Sequence, residues 1–246
     1  MIYKAEINGI GVEAYYSEES VKDIFIPLLE RLSRMCEEKG KRIIVMLAAP
    51  PGAGKSTLAH FLGDFSERTE GVRPILPIGM DGFHHYQDYL DSHIMMREGH
   101  EHLMKEYKGA PETFDLPKLT EKIKRISEGE DCGWPEYYRI AHNPIEDAIR
   151  IHGDIILIEG NYLLLDIDGW KELRKYADYT IRIIADEALL KNRLVDRKAM
   201  SGISREEAES FVENSDLYNV RTCLNYTMDE PDLTLQLMED DSFYCI

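Results

Sequence analysis

Long apolar runs, paired cysteines and flexible linkers are all missing from this chain of 246 residues. No apolar run approaches the ~18–20 residues that cross a bilayer, and no apolar segment follows basic residues near Met1, so we expect neither a membrane partner nor secretion. The four cysteines form no C-x-x-C pair, which favours free thiols in the cytoplasm. Without an internal repeat or a Pro/Gly/Ser-rich linker, residues 1–246 are predicted to form a single domain.

Positive charge is also scarce, with 29 Lys and Arg against 46 Asp and Glu and a net charge of −17. A surface of this sign repels a nucleic-acid backbone, so no nucleic-acid partner is expected. A phosphate ligand would have to be held locally, by backbone N–H groups and a few cations. The hydrophobic fraction of 43% is ordinary for a globular protein with a full core.

The pattern of apolar residues predicts an α/β fold with a parallel sheet between layers of helices. An N-terminal hairpin, Ile2–Ile7 and Ile10–Tyr15, should precede a helix over 17–39, and we group both as a segment 1–40. The predicted strands of the sheet are 42–48, 75–80, 154–158, 179–184 and Leu233–Leu237, and the predicted helices between them are 54–66, Leu116–Ser127, Trp170–Tyr176 and 187–200.

The strongest motif is Ala-Pro-Pro-Gly-Ala-Gly-Lys-Ser-Thr at residues 49–57. It matches G-x-x-x-x-G-K-[ST] except that Ala49 replaces the first glycine, a change that costs little if the φ of Ala49 is negative. Because a strand should precede this loop and a helix follow it, its N–H groups and the helix dipole can hold a triphosphate. A chance Gly/Pro turn is the alternative. The predicted nucleotide-binding residues here are Pro51, Gly52, Ala53, Gly54, Lys55, Ser56 and Thr57.

Four side chains are candidates for chemistry at the phosphates of ATP. Lys55 should reach the β- and γ-phosphates, and Ser56 should bind Mg²⁺. Glu159 ends a buried strand, where a second Mg²⁺ carboxylate is expected, although it could simply terminate that strand. Asp81 follows another strand and is the predicted base beside an acceptor hydroxyl. Alternatively, Asp81 caps a helix that begins near Phe83.

Other motifs separate the classes of P-loop protein. The chain has no N-K-x-D for guanine and no L-S-G-G-Q of transport ATPases. Five segments, 51–57, 80–84, 108–115, 158–166 and 193–197, follow one another in an order that resembles the P-loop kinases that include uridine kinase, phosphoribulokinase and pantothenate kinase. The chain is most similar to the bacterial nucleoside/nucleotide kinase family, some members of which are labelled fructose-transport-associated kinases. One departure is Tyr107, where an arginine is expected.

The resemblance implies a three-layer P-loop NTP hydrolase fold with a parallel five-stranded sheet and a helical lid, here at about 187–203. Arg193 and Arg197 lie four residues apart, which places both on one helix face. We expect Arg193 to act on the transferred phosphate and Arg197 to bind the nucleotide. Both could instead be solvated helix charges. The segment 214–219 resembles one that closes the nucleotide site in this family, or marks an ordinary helix boundary.

The acceptor should bind at the carboxyl edge of the sheet, near a polar, histidine-rich insertion at about 84–115. Residues 134–142 resemble the segment that presents an aromatic ring and a base to the acceptor in related kinases. Tyr137 and Tyr138 could equally be core residues. The irregular histidine spacing disfavours zinc. The candidate substrate-binding residues are His84, Lys108, Tyr138, Arg139 and His142.

Together these patterns predict a cytoplasmic enzyme that moves the γ-phosphate of Mg–ATP to a hydroxyl of a small metabolite, such as a nucleoside, a sugar or a sugar-like alcohol. One alternative is an ATP-binding regulatory sensor that has no acceptor. Another is a nucleoside monophosphate kinase, which needs cations for the acceptor phosphate. A homodimer is compatible with the sequence, which names neither the acceptor nor the preferred nucleotide.

Overall fold

A computed structural model of the chain describes residues 1–7, 9–97, 99–138 and 141–246. The strands are β1 (Ile2–Ile7), β2 (Ile10–Tyr15), β3 (Ile43–Ala48), β4 (Ile75–Gly79), β5 (Ile94–Arg97), β6 (His100–Leu103), β7 (Gly133–Tyr138), β8 (Asn143–Arg150), β9 (Ile155–Gly160), β10 (Tyr179–Ala185), β11 (Leu233–Leu237) and β12 (Phe243–Cys245). The α-helices are α1 (Ile26–Lys39), α2 (Lys55–Arg68), α3 (Gln87–Ser92), α4 (Leu116–Ser127), α5 (Glu187–Ala199), α6 (Arg205–Phe211) and α7 (Leu217–Tyr226).

The central sheet of the described chain has six strands in the order β12-β11-β10-β3-β9-β4. The five strands from β11 to β4 are parallel, which confirms the predicted sheet. β12 adds an antiparallel edge that the sequence did not predict, since its three residues are too few for a periodic signal. Every residue of β3 and β9 is buried, as expected for strands covered on both faces.

Hydrophobic residues pack on both faces of the sheet. On one face, Leu29 of α1 and Leu58 and Phe61 of α2 lie over the strands. On the other face, Leu119 of α4 packs in a cluster with Trp134 of β7. The sheet is therefore the middle one of three layers. No helix among the described residues is long and apolar enough to span a membrane.

The N-terminal hairpin of β1 and β2 lies against α2 and leads into α1 through a buried tyrosine. Tyr16 contacts the rings of Phe25 and Phe61, and the Tyr3 hydroxyl donates a 2.8 Å hydrogen bond to Asp64 of α2. The helix predicted over 17–39 is present: Ser17 Oγ accepts a 3.0 Å hydrogen bond from the Ser20 N–H, and a π-helical turn, Ser20–Phe25, precedes α1. The hairpin is therefore anchored to the same helix that follows the phosphate-binding motif.

Two regions differ from the sequence prediction. The histidine-rich insertion, for which no elements were predicted, contains α3 and the β5–β6 hairpin, and a second hairpin that was not predicted, β7–β8, lies between α4 and β9. The pairing register of the β7–β8 hairpin shifts between Trp134 and Glu136, so the alternation of side chains between the two faces of β7 is broken at Pro135. The predicted helical segment Trp170–Tyr176 is present with those bounds and is a 3-10 helix.

Candidate active site

The loop between β3 and α2 has the backbone shape that an anion-binding loop requires. Gly52 and Gly54 have φ of 87° and 78°, values that only glycine adopts without strain. A Cβ on Gly52 would lie 3.1 Å from Leu194 Cγ, so α5 packs directly on the loop. Ala49 is not among the described residues with positive φ, which explains why alanine is tolerated there. Free N–H groups at the start of α2 complete the loop.

Glu159 meets the phosphate-binding loop through the register of the sheet. It pairs with Leu47 at the end of β3 and with Gly79 at the end of β4. Its carboxylate accepts a 2.8 Å hydrogen bond from Ser56 Oγ and lies 4.0 Å from Lys55 Nζ. A Cβ on Gly79 would stand 3.0 Å from Glu159 Oε1, so glycine leaves room for the carboxylate. The predicted Ser56, Lys55 and Glu159 therefore lie together.

This donor set fits magnesium. A hydroxyl and a carboxylate are hard oxygen ligands, and Mg²⁺ ordinarily completes its shell with phosphate and water rather than with protein groups alone. Among the described residues there is no group of three or more His, Cys, Asp and Glu arranged to hold a metal. Mg²⁺ held by Ser56 and Glu159 would take its remaining ligands from phosphate and water.

Asp81 lies at the end of β4 in a 3-10 turn, Met80–Phe83. It lines a small cavity of about 30 Å³ together with Glu159. The turn is held tightly, because a Cβ on Gly82 would lie 2.0 Å from the carbonyl oxygen of Pro135 in β7. The unpredicted hairpin thus fixes the position of the predicted base, and Asp81 does not cap an α-helix at Phe83.

His84 contacts the backbone of the Asp81 turn. Burial lowers the pKa of His84, so its ring is neutral near pH 7. Its Nδ1 lies 2.8 Å from the backbone carbonyl oxygen of Asp81, an acceptor, so the ring proton is on Nδ1. The ring centroids of Phe114 and Tyr137 lie 3.9 and 5.1 Å away. These contacts fix the imidazole beside the acidic turn.

The remaining acceptor-side candidates are only partly brought together. Lys108 Nζ donates to Gln87 Oε1 at 2.8 Å and to the His142 carbonyl oxygen at 2.9 Å, and burial lowers the pKa of Lys108. His142 has a φ of 52° and an exposed side chain. Tyr138 is 40% exposed, so it is not a core residue. Arg139 lies outside the described residues.

The two arginines of α5 have different surroundings. Arg193 Nη1 lies 3.4 Å from the Gly52 carbonyl oxygen, and its Nη2 forms an ion pair with Asp241, while burial lowers its pKa. Arg197 is exposed. Burial raises the pKa of Asp216, and the positive charge of Arg197 acts on this pKa in the opposite direction. Arg193 therefore contacts the phosphate-binding loop, and Arg197 faces the segment before α7.

Two amide side chains outside the set of candidate site residues have a buried oxygen, and one of them, Asn219, ends the segment 214–219 that resembles a closure of the nucleotide site. Asn161 directly follows Glu159 and Gly160. Asn219 lies in α7, and a Cβ built on Gly109 would stand 3.3 Å from Asn219 Nδ2. Within the described chain, the side-chain oxygen of each is buried without a hydrogen-bond partner. Such groups are costly unless a ligand or water satisfies them. The position of Asn161 directly after the strand-end carboxylate was the available signal.

A parallel sheet, a loop before α2 shaped by two glycines with positive φ, and the contacts of Lys55 and Ser56 with Glu159 define a P-loop nucleotide-binding protein. The profile of the phosphoribulokinase/uridine kinase family matches residues 44–243. The chain belongs to this family, and it is a phosphotransferase.

Relatives with high coverage support this assignment. An uncharacterized protein of Escherichia coli strain K12, YggC, is 37% identical over 97% of this chain and 96% of its own length. A candidate uridine kinase of Schizosaccharomyces pombe, C227.14, is 30% identical over 80% of this chain and 83% of its own. A solved structure of a candidate fructose transport system kinase from Silicibacter sp. TM1040 superposes with a TM-score of 0.73 at 30% identity, covering 84% of this chain and 98% of the other.

Proposed function

We propose that this protein transfers the γ-phosphate of Mg–ATP to a hydroxyl group of a small metabolite. The observation that carries the proposal is the contact of Ser56 with Glu159, within 4.0 Å of Lys55, beside the cavity that Asp81 lines. In the loop Pro51–Thr57, the backbone N–H groups that follow Pro51 hold the phosphates, and Lys55 neutralises charge on the β- and γ-oxygens. Mg²⁺ bound at Ser56 and Glu159 supplies further positive charge to those oxygens.

Asp81 positions the acceptor and takes its proton. The loose transition state of phosphoryl transfer needs an aligned hydroxyl more than a strong nucleophile, so a carboxylate within hydrogen-bond reach is sufficient. Because Gly82 is pressed against Pro135, the backbone of the Asp81 turn is held in place beside the cavity that Asp81 and Glu159 line. His84 stays neutral and orients the backbone of the same turn through its Nδ1 hydrogen bond.

Arg193 and Arg197 stabilise the phosphates from the lid. Arg193 is held by Asp241 and the Gly52 carbonyl, so its guanidinium must exchange the Asp241 carboxylate for phosphate oxygens when nucleotide binds. Planar arginine donors suit that exchange, because phosphate presents the same paired oxygens as a carboxylate. Arg197 lies one turn further along α5 and contributes charge near the nucleotide.

The acceptor is a nucleoside, a sugar or a sugar-like alcohol bound near His84, Lys108, Tyr138, Arg139 and His142. Lys108 Nζ already donates two hydrogen bonds to protein oxygens and lies 5.3 Å from the centroid of the Tyr137 ring, so it has one N–H left for an acceptor phosphate. A nucleoside monophosphate kinase is therefore the weaker proposal. A sensor without an acceptor has no use for a carboxylate fixed at position 81.

An acceptor screen tests the proposal. ADP release is followed with Mg–ATP and nucleosides, pentoses, hexoses, sugar phosphates or pantothenate, with Lys55→Ala as the inactive control. We expect one alcohol class to stimulate turnover in the parent and not in the control. Binding of Mg–ATP without stimulation by any of these compounds would favour the regulatory sensor. A cytoplasmic location and a homodimer stay predictions.

A further inference from the structure

Two cavities with different linings belong to the candidate active site. The smaller, of about 30 Å³, contains Asp81 and Glu159. The larger, of about 310 Å³, is lined by Gly52, Gly54 and Thr57 of the loop together with Arg193 of α5. This volume lies at the lower end of the range of about 300–1,000 Å³ for small-molecule sites. The larger cavity therefore has room for a ligand that continues from the loop.

The chemistry of the proposed function gives the bound triphosphate a direction. Its γ-phosphate must face Asp81 and Glu159, because the acceptor and the metal ligands are on that side. Thr57 is one residue beyond the Ser56 hydroxyl and lines the larger cavity instead. The nucleoside end of the ligand therefore leaves the loop toward the larger cavity.

The outer wall of this cavity comes from the N-terminal hairpin. Residues 13–16 of the chain line it together with the loop, and Phe243 of β12 also contributes to the lining. The family profile begins at residue 44, so this wall lies outside the matched region. The hairpin is held in place by the Tyr3–Asp64 hydrogen bond and by Tyr16, whose ring centroid lies 4.3 Å from that of Phe61.

One residue of the wall is suited to a flat aromatic ligand. Tyr15 lines the cavity and is 53% exposed, whereas the next residue, Tyr16, is buried in the core. An aromatic side chain at the mouth of a cavity offers a face for a nucleobase, a contact that is favourable for any base. The half-exposed state of Tyr15 leaves this face accessible.

We infer that the N-terminal hairpin forms part of the nucleotide site of this kinase, with Tyr15 packing on the nucleobase. This inference rests on the proposed function, because the direction of the triphosphate is taken from it. It assigns a role to the segment 1–40, for which the sequence predicted structure and no function. The contact contributes affinity for the base without touching the phosphates.

Two ligands that share the phosphates test the inference. Calorimetry measures the Kd of Mg–ATP and of Mg–tripolyphosphate for the parent, Tyr15→Ala and Tyr15→Phe. We expect Tyr15→Ala to bind Mg–ATP about tenfold more weakly, and Mg–tripolyphosphate within twofold of the parent. Tyr15→Phe should restore most of the loss, because it keeps the ring. Tyr226→Ala, on a similarly exposed tyrosine (56%) that does not line this cavity, is the matched control.

The outcomes separate the two proposals. Equal Mg–ATP affinity of Tyr15→Ala and the parent would overturn the inference and leave the proposed function intact. The same loss for tripolyphosphate as for ATP would also overturn it, because the effect would then not concern the base. A parent that binds neither ligand would remove the proposed function itself and the inference with it.

Discussion

The nucleotide half of the candidate site and its acceptor half are built in different ways. The nucleotide half comes from one continuous turn and one neighbouring strand: Gly52, Gly54, Lys55 and Ser56 follow β3 directly, and Glu159 joins them by sheet register. The acceptor half brings together the Asp81 turn, the insertion and the β7–β8 hairpin from segments far apart in the chain. Short-range geometry is thus encoded in a motif, whereas the acceptor half depends on packing between distant segments.

The largest expected effect separates the two halves. Asp81→Asn keeps the size of the side chain but removes the base, so kcat should fall by about 10³-fold, while the Kd of Mg–ATP stays within a few-fold. Single-turnover ADP formation and calorimetry measure the two quantities. Asp88→Asn, an exposed change on α3, should alter neither. Unchanged turnover in Asp81→Asn would remove this carboxylate from the mechanism.

The next effect should be confined to the nucleotide half. Glu159→Gln removes the negative charge beside Ser56, so the Mg²⁺ concentration for half-maximal activity should rise by about 10–100-fold. Titration of activity with Mg²⁺ at fixed ATP measures this shift. Glu67→Gln, an exposed glutamate of α2, serves as the control. The same Mg²⁺ midpoint in Glu159→Gln and the parent would argue against a metal at this position.

A smaller effect tests the packing of the acceptor half. Gly82→Ala forces a methyl group against the Pro135 carbonyl, so it should destabilise the fold by about 1–3 kcal/mol. Gly11→Ala is the control, because nothing lies within 4 Å of its would-be Cβ and its φ is not positive. Urea unfolding of both variants compares the free energies. Equal midpoints would show that the β7–β8 hairpin yields easily and does not fix the Asp81 turn.

The smallest effect concerns pH. Because burial lowers the pKa of His84 below its ordinary value of 6.5, the unfolded chain binds its proton first as pH falls. Stability from the neutral ring is therefore present above about pH 6.5 and is lost below it, by at most about 1.4 kcal/mol per pH unit. His84→Asn should lose less stability than the parent between pH 7.5 and 5.5, as measured by urea midpoints.

A matched variant isolates the contribution of His84. His100→Asn, on an exposed histidine of β6, should keep the full pH dependence of the parent. If His84→Asn shows the same pH dependence as the parent, the acid sensitivity belongs to other groups. His60 and His85 are candidates, since burial also lowers their pKa values.

The sequence alone determined the parallel sheet, the phosphate-binding loop and the position of Glu159 at a strand end. These features depend on continuous apolar runs, on glycines with positive φ and on motif spacing, all of which are local. From these local features followed the resemblance to P-loop kinases and the choice of the candidate residues 51–57, 81 and 159.

Only the tertiary structure decided which distant segments touch. It put Pro135 against Gly82, Asp241 on Arg193, and Tyr15 in the wall of a cavity that opens on Gly52. No periodic pattern announces such contacts, because each joins residues more than 35 positions apart, as the sequence numbering shows. Their partners are selected by the packing of whole elements, here two hairpins and a short edge strand, and that packing exists only once the sheet has formed.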